Sequence, residues 1–208
     1  MNLDLNAKYW NERYLSDNFG WDAGSITSPL KEYFDQLSNL SSFILIPGAG
    51  NAYEAEYLIK KGFKNVYVCD FAPTPLRALK KRCPAIKEEN LLLGDFFELD
   101  PHQIPGLLGG FDLIVEQTFF CAITPTLRKK YAEKMTQLLK PKGRLVGLLF
   151  DDPLNKDQPP FGGNKEEYLS YFVPLFDMKT FERAHNSIKP REGRELFVNM
   201  QKRDMGNH

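Results

Sequence analysis

Cysteine and histidine are scarce in this chain of 208 residues, with three of each. Cys69, Cys83 and Cys121 lie far apart, form no CxxC pair and have no histidine at metal-ligand spacing, while His102, His185 and His208 are scattered. A disulfide framework is therefore not expected, and neither is a zinc site or any other metal site. An excess of either charge is also missing, because 27 basic residues balance 27 acidic ones. With no net field to draw the chain to nucleic acid or to an anionic membrane, a small-molecule partner is the default. The longest apolar runs, such as RLVGLLF at 144–150, are too short to span a bilayer. The N-terminus carries acids and amides where a targeting signal would carry basic residues followed by an apolar run. The expectation is a cytoplasmic protein, monomeric, with no membrane and no nucleic-acid partner. Internal repeats and low-complexity segments are absent too, so disorder is expected only at the ends.

What is present, at 42% hydrophobic content, suits one well-filled domain. From residue 42 onward short β-rich runs alternate with helical ones, the pattern of βα units on a parallel sheet. SFILIP, NVYVCD, NLLLGD, FDLIVEQ and RLVGLLF read as five strands, apolar enough to be buried on both faces. AYEAEYLIKKG reads as a helix stopped by Gly62, and TPLRALKKRC as one with Pro75 in its first turn. The clearest helix is TPTLRKKYAEKMTQLLKPKG. Thr124 is its expected N-cap, Leu127, Tyr131, Met135 and Leu138 form the buried stripe, and KPKG gives it a basic end. Arg128 is read as facing solvent. DDPLNKDQPPFGGN is a long loop, in which Asp151 and Asp152 could cap or orient the chain, and the KEE after it is a solvated face. A helix KEEYLSYFVPLF and two strands, MKTFERAHN and ELFVNMQKR, complete the chain. A terminal hairpin on a parallel sheet favours the class I methyltransferase arrangement over that of nucleotide-binding dehydrogenases.

PGAGNAYEAEYL places Gly48 and Gly50 in the turn between the first strand and its helix, where a backbone without Cβ lets a ligand approach. A dinucleotide fingerprint would put a third glycine at position 53, beside the pyrophosphate. Tyr53 stands there, which favours a ligand without phosphate. Asp70 ends the second strand, 22 residues after Gly48, where a carboxylate accepts hydrogen bonds from ribose hydroxyls; a helix N-terminal acid is its plainer reading. Asp95 ends the third strand and Phe96 follows, a pair suited to an adenine amine and ring, although core packing also explains at least one of Phe96 and Phe97. One acid for a ribose, one for adenine and a glycine turn for an amino-acid tail together describe S-adenosylmethionine.

YWNERYLSDNFGWDAG at 9–24, PGAGNAYEAEYL, GDFFEL and above all FDLIVEQTFFCAITPTLRKKYAEKMTQLLKPKGRLVGLLF resemble the thiopurine S-methyltransferase superfamily, closest to its halide and thiol methyltransferase branch. The resemblance runs from Tyr9 to Arg203. It implies a seven-stranded, mostly parallel Rossmann-like sheet with an antiparallel C-terminal strand, helices on both faces and an N-terminal helical lid. The corresponding division is 1–40 for the lid and 41–208 for the core, within one domain. By the same resemblance Trp10 and Trp21 contact S-adenosylmethionine, with Tyr14 where relatives carry a further tryptophan. Gly48 matches the turn glycine, Asp70 the ribose acid, Asp95 and Phe96 the adenine side, and Gln117 falls where plant relatives have tyrosine, next to the methionine moiety.

The chemistry implied is an in-line displacement in which a halide, bisulfide, thiocyanate or thiol takes a methyl group and S-adenosylhomocysteine remains. A soft nucleophile needs little acid or base help, only alignment and a dry pocket. An aromatic wall attracts a sulfonium as it attracts other cations, and Trp21 is the first candidate; the competing reading makes it a staple for the N-terminal helix. Candidates for the acceptor side, at the carboxyl edge of the sheet, are Phe120, Cys121, Phe150, Asp151 and Phe161, with Cys121 more readily a packed small residue than a nucleophile. The rivals are a sensor that binds S-adenosylmethionine without turnover and an NAD-dependent oxidoreductase.

Overall fold

The computed structural model describes residues 4–16 and 20–204. Phe19 of the aromatic stretch and the terminal His208 lie outside the described residues. Seven strands, β1 (Phe43–Pro47), β2 (Asn65–Asp70), β3 (Leu91–Leu93), β4 (Phe111–Gln117), β5 (Leu139–Phe150), β6 (Phe176–Arg183) and β7 (Glu195–Lys202), form one sheet in the order β3-β2-β1-β4-β5-β7-β6. The pairings from β3 through β5 are parallel, whereas β7 runs antiparallel to both β5 and β6.

Period-two alternation sends successive side chains to opposite faces, and here both faces are apolar. Ile44, Ile46, Val66, Val68, Val115 and Val146 join one buried cluster, while Leu45, Tyr67, Cys69, Ile114 and Leu145 join the other. On the first face lie α2 (Ser28–Asp35), α3 (Tyr53–Lys60) and α4 (Pro73–Arg82). On the second lie α5 (Arg128–Leu138) and α6 (Lys165–Phe172), whose Tyr131, Tyr168 and Phe172 meet Phe120 with ring centroids 5.0–5.7 Å apart. Each such ring pair adds about 0.5–1.5 kcal/mol to the burial itself.

Some local expectations change. The segment 125–127 is a 3-10 turn and the α-helix begins at Arg128, so Thr124 makes no side-chain cap; its Oγ1 instead meets Thr126 Oγ1 at 3.2 Å. That helix ends at Leu138, and KPKG belongs to the start of β5, where Lys142 has a φ of 61°. Within the segment 1–40, α2 is part of the core layer, because Leu30 and Phe34, one turn apart, are both fully buried. By contrast α1 (Ala7–Leu15) has no buried residue. It is capped by Asn6, whose side chain accepts from Tyr9 N, and it is tied to α4 where Asn11 Oδ1 accepts from Thr74 N at 3.2 Å and Thr74 Oγ1 at 2.7 Å. No helix among the described residues is long and apolar enough to cross a membrane.

Candidate active site

A cavity opens at the carboxyl ends of β1, β2 and β4, the place where open α/β sheets bind ligands. Its floor is the turn after β1. Gly48 and Gly50 both have left-handed φ values, and a Cβ on Gly48 would lie 2.1 Å from the Phe119 ring, so the turn leaves no room for a side chain. Asp70 borders it from the end of β2, only 6% exposed. Its Oδ1 accepts from Ala72 N at 2.8 Å and its Oδ2 from Gly50 N at 3.3 Å. Burial pushes this carboxyl up to about 6, against the pull of those backbone donors.

Asp95, Phe96 and Gln117 line the same cavity. Asp95 Oδ1 accepts from Phe97 N at 2.8 Å and so caps the turn that carries both phenylalanines. Phe96 packs into the core against Phe97, Phe119 and Tyr131 and also lines the cavity. Gln117 Oε1 is buried with no hydrogen-bond partner among the described residues. An acceptor-rich wall with an unmatched amide oxygen fits a ligand that brings hydroxyl, amine and ammonium donors, as the ribose, adenine and amino-acid tail of S-adenosylmethionine do.

The N-terminal segment covers this floor. Trp10 and Trp21 meet edge to face at 5.5 Å, Tyr14 meets Trp21 at 5.9 Å, and all three line the cavity. Tyr14 lies over the glycine turn, its hydroxyl 2.9 Å from where a Gly50 Cβ would be, and burial raises its phenol above the ordinary range. Asp22 fastens the segment: its Oδ2 accepts from Asn51 Nδ2 at 2.9 Å and from Tyr53 hydroxyl at 3.0 Å. Tyr53, standing where a dinucleotide site has its third glycine, thus holds a carboxylate over the start of α3. A pyrophosphate at that spot would meet like charge. A second tie is Arg191, buried in the turn before β7, whose Nη2 donates to the Trp21 carbonyl at 2.5 Å while Nη1 donates to Glu195 Oε1 at 3.2 Å.

Of the residues expected on the acceptor side, Cys121 lines the cavity and the other four do not. Phe120 and Phe161 are core residues. Phe150 lies beneath Arg191, 5.5 Å from the guanidinium. Asp151 accepts from Lys165 N at 3.0 Å and pairs with Arg183 at 2.6 Å, so it orients the loop and the start of α6. Among these four only Phe150 lies on a strand; Phe120, in the turn after β4, and Phe161, in the loop after β5, are buried in the packing beneath the cavity. The wall at that end is built instead from Phe97, Phe119, Ile123, Leu127, Pro159 and Pro160. Cys121 donates its Sγ hydrogen to Thr118 O at 3.2 Å, and burial pushes its thiol up to about 12.

Two further buried acids, Glu116 and Glu54, belong to the site and its support, and the sequence reading did not single out either. Glu116, next to Gln117, is 1% exposed; its Oε1 accepts from Phe119 N at 2.8 Å and Phe120 N at 2.9 Å, and its Oε2 accepts from the Tyr131 hydroxyl. Those bonds brace the turn at Thr118, which has a left-handed φ of 60° despite its branched side chain. Glu116 fits because its partner across β5 is Gly147, where a Cβ would come within 2.4 Å of the Glu116 Cβ. Glu54, in the first turn of α3, lines the cavity, is buried and is pushed up to about 7 by desolvation.

The strand order, the reversed β7 and a cavity over the glycine turn are the architecture of class I methyltransferases. A solved example is the Burkholderia thailandensis 1,6-didemethyltoxoflavin-N1-methyltransferase with bound S-adenosylhomocysteine, which superposes with a TM-score of 0.74 at 17% identity over 96% of this chain and 88% of that one. The chain belongs to the thiopurine S-methyltransferase family, which matches it over residues 5–204, and it is an S-adenosylmethionine-dependent methyltransferase. Among its relatives are a probable thiol methyltransferase 2 of Arabidopsis thaliana and a thiocyanate methyltransferase 1 of Brassica oleracea. Each is 28% identical over 197 residues, spanning 93% of this chain and 84% of the relative.

Proposed function

We propose that the protein transfers the methyl group of S-adenosylmethionine to sulfur, or to a halide, in a small acceptor bound beside Cys121, Ile123, Leu127, Pro159 and Pro160. The observation that carries this reading is one cavity whose half around Asp70 carries acids and whose other half carries these five uncharged residues, with the buried Arg191 also on its lining. In the first half Asp70 accepts from the ribose hydroxyls, Asp95 and Phe96 take the adenine, and Gln117 with the Gly48–Gly50 turn takes the amino-acid tail. Trp10, Tyr14 and Trp21 close over the site and exclude water. The chemistry supplied by the bound cofactor is a methyl group on a positively charged sulfur, released as the thioether S-adenosylhomocysteine. The apolar half strips water from the incoming nucleophile and aligns it; a thiol proton leaves to solvent, and a halide or bisulfide needs no base. Zero net charge supports a small-molecule acceptor and no nucleic-acid partner.

The deciding experiment incubates the purified protein with S-adenosylmethionine and a panel of halides, bisulfide, thiocyanate and organic thiols, with methylated products measured in headspace and liquid. Product from at least one acceptor is expected. Cofactor binding with no product from any of them would favour a sensor, and absence of both would end the proposal.

Trp21 separates the lid reading from the staple reading. Trp21→Ala should weaken cofactor binding about tenfold, in line with the loss of a desolvated cation–π contact worth up to about 2 kcal/mol, while the unliganded melting temperature moves little. A large drop in that temperature with unchanged affinity would make Trp21 a staple.

A further inference from the structure

Arg128 is expected on solvent and is found 1% exposed. A cation in the first turn of a helix opposes the helix dipole, and its Nε is buried with no hydrogen-bond partner among the described residues, so the position is costly twice over. Its guanidinium lies over the rings of Phe120 and Tyr168, 5.0 and 5.4 Å from their centroids. Nη1 donates to Glu167 Oε1 at 2.8 Å, and Nη2 donates to the carbonyls of Gly162 at 2.8 Å and Phe161 at 3.4 Å. Phe161 N in turn donates to Cys121 O at 2.7 Å. The residues just before these carbonyls are Pro159 and Pro160, and the residue that receives the Phe161 bond is Cys121; all three line the apolar half of the cavity. The loop 151–164 has no regular element between its isolated bridges, so Arg128 and the Phe161–Cys121 bond fix its distance from the turn after β4.

We propose that Arg128 is a positioning residue for the methyl acceptor: through the carbonyls of Phe161 and Gly162 it holds the Pro159–Pro160 wall against the Cys121 turn and thereby sets the size of acceptor admitted. This rests on the acceptor lying in that half of the cavity. Arg128 touches neither ligand, and the planar fork that reaches two carbonyls and a carboxylate at once is something lysine cannot reproduce.

The test compares wild type with Arg128→Met, Arg128→Lys and Glu167→Gln. The readouts are KM for a small and a bulky thiol, calorimetric binding of S-adenosylhomocysteine, and amide hydrogen exchange. Arg128→Met should raise the acceptor KM tenfold or more and shift the bulky-to-small ratio of kcat/KM at least fivefold. Product affinity should stay within about twofold, and Arg128→Lys should recover part of the change. Exchange at the Phe161 amide should quicken at least tenfold in the Arg128 variants. Equal losses in cofactor affinity and acceptor KM, or an unchanged acceptor ratio, would overturn the proposal. Should Arg128→Met not fold, Arg128→Lys and Glu167→Gln decide by the same criteria. If wild type binds the product yet methylates nothing, the acceptor reading itself has failed. The exchange result then decides the anchoring role separately: unchanged protection at Phe161 rejects it.

Discussion

Asp70→Ala is expected to weaken binding of S-adenosylmethionine on the order of a hundredfold. Hydrogen bonds to a charged group are worth about 1.5–3 kcal/mol, and every 1.4 kcal/mol is tenfold in affinity. The carboxylate is held rigidly by Ala72 N and Gly50 N, so it is aligned before the ligand arrives. Its acid constant adds a second signature. Because burial pushes Asp70 up to about 6, the ionised form that accepts from hydroxyls is lost as pH falls through that value, and affinity should fall with it. Calorimetric titration with S-adenosylhomocysteine between pH 5 and 8, on wild type and variant, measures both effects. A dissociation constant within threefold of wild type would remove Asp70 from the site.

Glu116→Ala should cost about 3 kcal/mol of stability or more, since it leaves the amides of Phe119 and Phe120 and the Tyr131 hydroxyl buried without their acceptor, at about 1–3 kcal/mol each. Glu116→Gln tests the charge alone. The carboxyl is pushed up from 4.5 to about 7 in the folded protein, so the native state holds a proton that the unfolded chain has already released. Its protonated form therefore supports the fold fully below about pH 4.5, and that support is lost as pH rises through 7. Glu116→Gln should flatten the decline in unfolding free energy between those limits. Denaturant melts at a series of pH values check this, and a variant curve parallel to wild type would contradict it.

The strands were legible because apolar runs such as FILIP and NVYVCD are long enough to be buried on both faces and are bounded by turn residues. FDLIVEQ at 111–117 coincides with β4 residue for residue. Asp70 was legible for the same reason: a strand end can be located, and an acid there faces the ligand edge. Other parts left weaker signals. Glu116 follows the apolar run Leu113–Val115 in a strand read as buried on both faces, and so could have been singled out as a buried bracing group. Arg128 lies three and seven residues before Tyr131 and Met135, on the helical stripe that the structure buries, so periodicity contradicted the solvent reading that its charge suggested. The contacts of Arg191 with Trp21, 170 residues away in sequence, had no local signal at all. Nor could spacing show that Phe120 and Phe161 leave the cavity wall, because one lies in a turn and the other in a loop, where no periodicity fixes which way a side chain faces.

The protonated thiol of Cys121 has a chemical consequence for an enzyme of this class. A cysteine sulfur on the wall of a cavity that handles activated methyl groups is itself a nucleophile, and an S-methylated cysteine would be a dead end for the catalyst. Reactivity belongs to the thiolate. With the thiol pushed up to about 12, only about one molecule in 100,000 carries that thiolate at pH 7. The same loss of hydration that makes a bound anionic nucleophile more reactive thus keeps the protein's own sulfur protonated and silent, and the enzyme is spared alkylation by its own cofactor.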